Sequence, residues 1–227
     1  MKNVNKFIHN IDRPSIQYNI FYKTNLNSQM YQIIKSYPKE TYGIIYAGTR
    51  DKTEQIAIWL KSKGINCEAF HAGLPKKKKQ LILDQYLSGE LNLIVATIAF
   101  GMGIDKSDIR YCIHSDVPTN MEAYMQESGR ISRDGVPSEA YLLYDGNDVD
   151  FKIFLSRKSI KDPVRLSNTI KTIKSFSLFC ENSSQCRREK MLEFFNQVPE
   201  KCNNCDICLQ HNSIQESIDY RLSRSHK

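Results

Sequence analysis

Apolar and polar positions along the first 150 residues fall into two alternating rhythms. Short runs of aliphatic and β-branched residues give way to stretches in which apolar side chains return every three or four positions. Gly43-Ile44-Ile45-Tyr46-Ala47 predicts a buried strand, and Thr53 to Lys63, carrying Ile56, Ile58, Trp59 and Leu60 among charges, predicts an amphipathic helix stopped by Gly64. Cys67 to His71 predicts a second strand. Pro75 then opens a helix with Leu81, Ile82, Leu83, Tyr86 and Leu87 on its apolar side, ending near Gly89, and Leu93 to Thr97 predicts a third strand. Two more strands, Tyr111 to His114 and Ala140 to Tyr144, flank a helix from about Asn120 to Ser128. Strands and helices alternating through short connections imply an α/β fold, a parallel sheet with helices on both faces. Ligands of such sheets gather beyond the carboxyl ends of the strands, which directs attention to the loops after Ala47, His71, Thr97 and Ser115.

Charge divides the chain. Residues 1–150 carry 18 Lys and Arg against 17 Asp and Glu, whereas residues 151–227 carry 14 against 8, so nearly all of the net +7 lies in the last third. That part suits either a polyanionic partner or a solubilising surface. A hydrophobic content of 41% with 25% charged residues excludes a disordered or fibrous chain. No run approaches the roughly 20 apolar residues of a membrane span, and the first twenty positions lack a signal peptide's apolar run. The expectation is a soluble intracellular protein, nuclear or cytoplasmic, with no membrane partner.

Cysteine divides the chain at a similar place. Cys67 and Cys112 stand alone in apolar or β-rich segments and read as small buried hydrophobes, while Cys180, Cys186, Cys202, Cys205 and Cys208 crowd the last quarter. Seven is an odd number, and the tight spacing C-N-N-C-D-I-C suits thiolates wrapped round one ion better than a disulfide framework.

Two loops carry candidate chemistry. After the third strand, Gly101 and Gly103 permit positive φ and close backbone approach, while Thr97 and Asp105 offer hydrogen bonds to a phosphate or sugar; taken alone, the two glycines read first as a plain turn. Further on, Arg130 and Arg133 stand three residues apart between Gly129 and Gly135, so that two forked guanidinium groups can reach one anion, or else pair on the surface with Asp134 or Glu127.

Taken in order, I-I-Y-A-G-T-R (44–50), F-H-A-G-L (70–74), I-V-A-T-I-A-F-G-M-G-I-D-K (94–106), H-S-D-V-P (114–118) and Q-E-S-G-R-I-S-R-D-G (126–135) resemble the motifs of the second motor domain of RecQ-type DNA helicases. Downstream, C-R-R (186–188), F-F (194–195) and C-N-N-C-D-I-C (202–208) are similar to that family's zinc-binding subdomain. The resemblance runs from about Asp12-Arg13-Pro14 to Cys208. It implies a RecA-like domain over residues 1–150 and a small helical zinc-binding subdomain over 151–211; the polar composition of residues 212–227 reads as a tail, frayed or a short helix.

The resemblance also implies roles. ATP and Mg2+ would lie between two RecA-like domains, and Arg133 would be the arginine finger that neutralises charge developing on the transferred phosphoryl group. Arg130 would contact the phosphates or order the interface, and Gln126 would couple nucleotide state to the domain contact. Thr49, Arg50 and Thr97 would follow the nucleic-acid backbone, with Asp105 and Gly103 near the ATP sugar or the domain interface. Cys186, Cys202, Cys205 and Cys208 would hold one structural Zn2+ in a closed tetrahedral site. Cys186 is preferred to Cys180 because the family's first ligand directly precedes two arginines, as Cys186 precedes Arg187-Arg188. One departure stands out: Ile131 and Ser132 replace the family's usual Ala and Gly. If that Gly position is left-handed, Ser costs roughly 1 kcal/mol there and can displace Arg133; if helical, little changes.

The 227 residues contain neither G-x-x-x-x-G-K-[ST] nor a Walker B acidic pair, so the chain alone is not expected to hydrolyse ATP. It reads as the carboxyl-terminal half of a longer helicase, the product of a split gene or a remnant; Met1 followed by Asp12-Arg13-Pro14 suits a break at the hinge between motor domains. The implied partners are DNA, at a single strand and duplex junction, and a first RecA-like domain in cis or in trans, with 3′-to-5′ polarity by family. The alternative is a non-catalytic nucleic-acid-binding module that keeps the zinc platform and basic surface.

Overall fold

The computed structural model describes residues 11–97, 106–198 and 200–224. Six strands, β1 (Ile16–Tyr22), β2 (Tyr42–Tyr46), β3 (Cys67–Phe70), β4 (Leu93–Ala96), β5 (Ile109–His114) and β6 (Ser138–Tyr144), form one sheet in the order β1-β6-β5-β2-β4-β3 with every pairing parallel. Between them run α1 (Leu26–Lys35), α2 (Arg50–Ser62), α3 (Lys76–Ser88) and α4 (Met121–Ser128), and beyond them α5 (Gly146–Ser159), α6 (Pro163–Glu181), α7 (Arg187–Phe194), the single turn α8 (Asp206–Leu209) and α9 (Ile214–Arg224). The expected parallel α/β sheet with helices on both faces is the observed architecture, followed by a helical segment.

Side-chain alternation assigns the two cores. Ile44, Tyr46, Ile94 and Leu142 point to one face, against Tyr86 of α3 and Tyr124 of α4; Ile45, Val95, Ile113 and Leu143 point to the other, against α1, α2 and α9. Cys67 and Cys112 lie in these cores, and burial pushes the Cys67 thiol up to about 12. The first core continues without a break into Phe176, Phe179 and Cys180 of α6, Met191 of α7, and the cysteines Cys186 and Cys205.

Local chemistry sets the boundaries. α2 begins at Arg50 rather than Thr53 because the Thr49 side chain caps it, accepting a hydrogen bond from the Lys52 amide at 3.2 Å. Asn120 caps α4 in the same way, and Gly89 ends α3 in the left-handed conformation.

The apolar rhythm does not announce β1. Gln17 and Asn19 interrupt it, yet both are buried beneath α9: Gln17 Nε2 donates to Asn19 Oδ1 at 3.1 Å and to Ser217 Oγ at 3.4 Å. In the expected tail, Ile214–Arg224 form the docked helix α9, which buries Ile214 and Ile218; Arg221 lies 3.7 Å from the Tyr37 ring centre, with its Nε 2.9 Å from Glu139 Oε2. Among the described residues no helix is long and apolar enough to cross a membrane.

Candidate functional site

The segment after α4 is a tight, anchored turn. Ile131 and Ser132 are 0% and 1% exposed, while Arg130 on one side is half-buried and Arg133 on the other is exposed. Ser132 has φ +57°, so the left-handed case applies. Its hydroxyl offsets that strain by donating to the Val136 carbonyl at 2.7 Å and sharing a hydrogen bond with the Ser15 hydroxyl at 2.6 Å. The Ser132 amide donates to Ile109 O at 3.0 Å, and Gly135 N donates back to Ser132 O at 3.0 Å. The two acids considered as surface partners are engaged elsewhere in the fold: Arg110 grips Asp134 with both terminal nitrogens, and Glu127 Oε2 lies 2.9 Å from His114 Nε2. Arg130 reaches back to the phenol of Tyr46, whose pKa burial raises strongly and the guanidinium partly lowers. Gln126 is exposed on α4.

Thr49, Arg50 and Thr97 come together at the other end of the sheet, just past the carboxyl ends of the neighbouring strands β2 and β4. The Thr97 amide donates to Phe70 O at 3.2 Å and Ala47 N to Ala96 O at 2.8 Å, which draws the loops after β2, β3 and β4 into one ridge. Gly73 belongs to that ridge because a Cβ there would come within 3.1 Å of Arg50 Nη1. Gly48 N donates to Asp116 Oδ2 at 2.8 Å, and Asp116 also pairs with Lys52. Burial alone would raise the Asp116 pKa, but the Lys52 ammonium and the Gly48 amide hold it below the usual carboxylate range. Gly103 and Asp105 lie outside the described residues. The fold thus brings Thr49, Arg50 and Thr97 to one end of the sheet but ties the backbone of the arginine turn to the opposite, amino-terminal end of β5, with Arg130 reaching across.

The thiols of Cys186, Cys202, Cys205 and Cys208 converge, with all four sulfurs within 4.8 Å of one another. Individual separations are 3.3 Å (Cys186 to Cys202), 3.9 Å (Cys202 to Cys208) and 4.0 Å (Cys205 to Cys186). A tetrahedron of Zn–S bonds near 2.3 Å has edges of about 3.8 Å, so the donor set fits zinc. Backbone amides of Arg187, Cys202 and Asn204 point at the sulfurs of Cys205, Cys186 and Cys202, each at 3.4 Å. Asn203, at φ +49°, supplies the left-handed bend that turns the chain between two of the cysteines. Cys180 is buried in α6, outside this cluster.

Sequence reasoning missed what Arg187 and Arg188 do. Both are buried. Arg187 makes a forked pair with Asp206, Nη2 to Oδ2 at 2.9 Å and Nε to Oδ1 at 3.1 Å, and donates to Phe179 O at 2.7 Å. Asp206 in turn accepts from the Ile20 amide of β1 at 3.2 Å, stitching the cysteine knot to the sheet. The C-R-R run was the available signal, but it gives no direction for either side chain.

Two family models match consecutive parts of the chain: the helicase conserved C-terminal domain at residues 25–135 and the RecQ zinc-binding domain at residues 147–209. The ATP-dependent DNA helicase RecQ of Haemophilus influenzae is 36% identical over 212 residues, covering 92% of this chain and 33% of that protein. Its counterpart in Pasteurella multocida is 38% identical over 206 residues, covering 89% and 32%. The helicase hus2/rqh1 of Schizosaccharomyces pombe is 36% identical over 216 residues, covering 92% and 16%. Among solved structures, a DEAD box protein from Methanococcus jannaschii superposes with TM-score 0.52 at 23% identity, covering 63% of this chain and 39% of that one. The Escherichia coli DEAD-box protein SrmB gives 0.53 at 23% identity, covering 65% and 86%. At that identity the likeness shows the fold alone.

A parallel RecA-like sheet joined to a four-cysteine knot defines the motor-and-zinc part of a helicase. The chain belongs to the RecQ-type helicases and corresponds to their carboxyl-terminal motor domain and zinc-binding segment. It spans about a third of the length of the bacterial relatives it matches.

Proposed function

We propose that this chain works as the second motor half of an ATP-dependent RecQ-like DNA helicase, completed by a first RecA-like domain in cis or in trans. That first domain would hold ATP and Mg2+, and Arg133 would enter from across the cleft as the arginine finger, placing positive charge where negative charge develops on the transferred phosphoryl group. Arg130 would contact the phosphates or order the interface, and Gln126 would relay nucleotide state to the domain contact. Thr49, Arg50 and Thr97 would bear on the strand backbone as closure and opening advance it, with 3′-to-5′ polarity. Zn2+, when bound by Cys186, Cys202, Cys205 and Cys208, would supply a structural cross-link with no open position for substrate.

The observation that carries this reading is the build of the arginine turn. Buried Ile131 and Ser132 fix the backbone, and Arg133 emerges exposed beside them. An arginine finger must keep its place before the substrate arrives, and an anchored turn provides that. Mixing the chain with a Walker A-bearing first domain tests it: ATP hydrolysis is expected to rise well above that of either half and to depend on DNA. Salt-sensitive DNA binding by the chain with no rise in hydrolysis on mixing would favour the non-catalytic binding module instead.

A further inference from the structure

The turn that presents Arg130 and Arg133 is held by a guanidinium from the other end of the chain. Arg13 Nη1 donates to Gly129 O at 3.0 Å, and Nη2 donates to Ile131 O at 3.0 Å and Ser132 O at 2.8 Å. Gly129 is the C-cap of α4, and Ile131 and Ser132 follow it in the turn, so one guanidinium ties the end of the helix to the backbone of the buried pair. Arg13 is itself held. Buried Arg188 donates through Nη2 to the carbonyls of Arg13 at 3.1 Å, Pro14 at 3.1 Å and Ile16 at 2.9 Å, and its Nε lies 3.0 Å from Asp12 Oδ1.

Arg188 occupies the first turn of α7, two residues after Cys186, which is both the N-cap of that helix and a member of the thiol knot. A connected path therefore runs from the four cysteines, by the backbone of Cys186 to Arg188, through the polar contacts of Arg188 with residues 12–16 and of the Arg13 guanidinium with the arginine turn. Its parts are not interchangeable with a generic surface charge. A lysine at 13 offers one ammonium where the carbonyls of Gly129, Ile131 and Ser132 are served by the two arms of a planar fork.

We propose that Arg13 is a positioning residue for the arginine turn, and that Arg188 makes the geometry of that turn conditional on the folded cysteine knot. Its consequence for turnover rests on Arg133 being the finger; the structural latch does not. Metal loss in the knot would thus be felt at the motor interface.

Backbone amide hydrogen exchange on the 227-residue chain tests the latch without ATP. Ser132 and Gly135 report the turn, and Ile45 and Val95 in the central strands report global stability. Arg13→Ala is expected to speed exchange at Ser132 and Gly135 at least tenfold while Ile45 and Val95 stay unchanged, with Arg13→Lys recovering only part of the protection. Arg188→Ala should do the same, and stripping zinc from the unsubstituted chain should reproduce it. Stripping zinc from Arg188→Ala should then add little at Ser132. Should Arg188→Ala not fold, Arg13→Ala and zinc removal decide the matter between them. Unchanged exchange at Ser132 in Arg13→Ala, or zinc removal that opens residues 202–209 while Ser132 stays protected, overturns the proposal.

In the assembled motor, Arg13→Ala should lower kcat per folded chain at least tenfold with the KM for ATP unchanged. A loosened turn with undiminished kcat overturns the positioning role. Arg133→Ala, run beside it, tests the finger by itself: if that variant keeps its turnover, the finger reading falls while exchange at Ser132 still decides the latch.

Discussion

Arg187 and Arg188 are adjacent and 4% and 6% exposed, whereas Arg130 and Arg133 stand three apart and straddle the buried pair Ile131-Ser132. The first pair spends its hydrogen-bonding capacity inside the molecule, on Asp206, Phe179 O and the carbonyls of residues 13, 14 and 16. In the second, Arg130 lies against Tyr46 and Arg133 is exposed. Both segments read as basic and polar in sequence. What separates them is the neighbour each was given: a buried carboxylate for one, and for the other two buried residues that push the arginines to the edges of a turn. Counting basic residues therefore overstates the positive surface of the last third, since Arg187, Arg188 and Arg221 all face internal acids.

The contrast can be broken at several points, beginning with the knot. Chelating zinc is expected to lower the melting temperature by about 10 °C or more and to expose amides of residues 186–209, because crowded thiols without a cation lose their cross-link. Hydrogen exchange should meanwhile leave β2, β4 and β5 protected. A melt indifferent to the chelator removes the structural-metal reading. Next in size is Arg187→Ala, which strands the Asp206 carboxylate in the interior and should cost about 3–5 kcal/mol by denaturant unfolding. Arg133→Ala should stay within about 0.5 kcal/mol in the same assay. Equal costs for the two variants would erase the distinction between them.

Ser132 sharpens the other half. Ser132→Ala keeps the strained backbone and loses the hydroxyl's two hydrogen bonds, so it should destabilise the chain by about 1–2 kcal/mol. Ser132→Gly loses the same bonds but relieves the left-handed strain, and should fall within about 1 kcal/mol of the unsubstituted chain. Unfolding midpoints that rank Ala above Gly would contradict the role given to this residue.

The smallest effect is acid-dependent. Asp116 has its pKa held below the ordinary value of 3.8. Its contribution is therefore fully present above that value and is lost as pH falls through the lower, folded pKa. Stability measured between pH 5 and pH 2 should decline by less than about 1 kcal/mol on this account, and Lys52→Ala should shrink that decline.

Much of the sheet was legible because its strands are short apolar runs and its helices carry apolar side chains at regular spacing; β2 and β4 fall within one residue of the runs that announce them. β1 was not, because two polar side chains interrupt its apolar run, and Gln17 is buried by donating to Asn19 and to Ser217, a partner 200 residues away. The cysteine set could be read from spacing together with family likeness, since a knot built on C-N-N-C-D-I-C is nearly local. Contacts such as Arg13 to Gly129, 116 residues apart, leave no periodic trace. The departure at Ser132 was visible, but its φ and the hydroxyl's partners were needed to know that serine could hold the place of glycine.

ATP turnover by the assembled motor carrying Arg133→Ala tests the central claim most directly. The account predicts a fall of about a thousandfold or more in kcat, the range seen when an arginine finger is missing, with ATP affinity within a few-fold of the unsubstituted motor. Turnover within tenfold of that motor would contradict it.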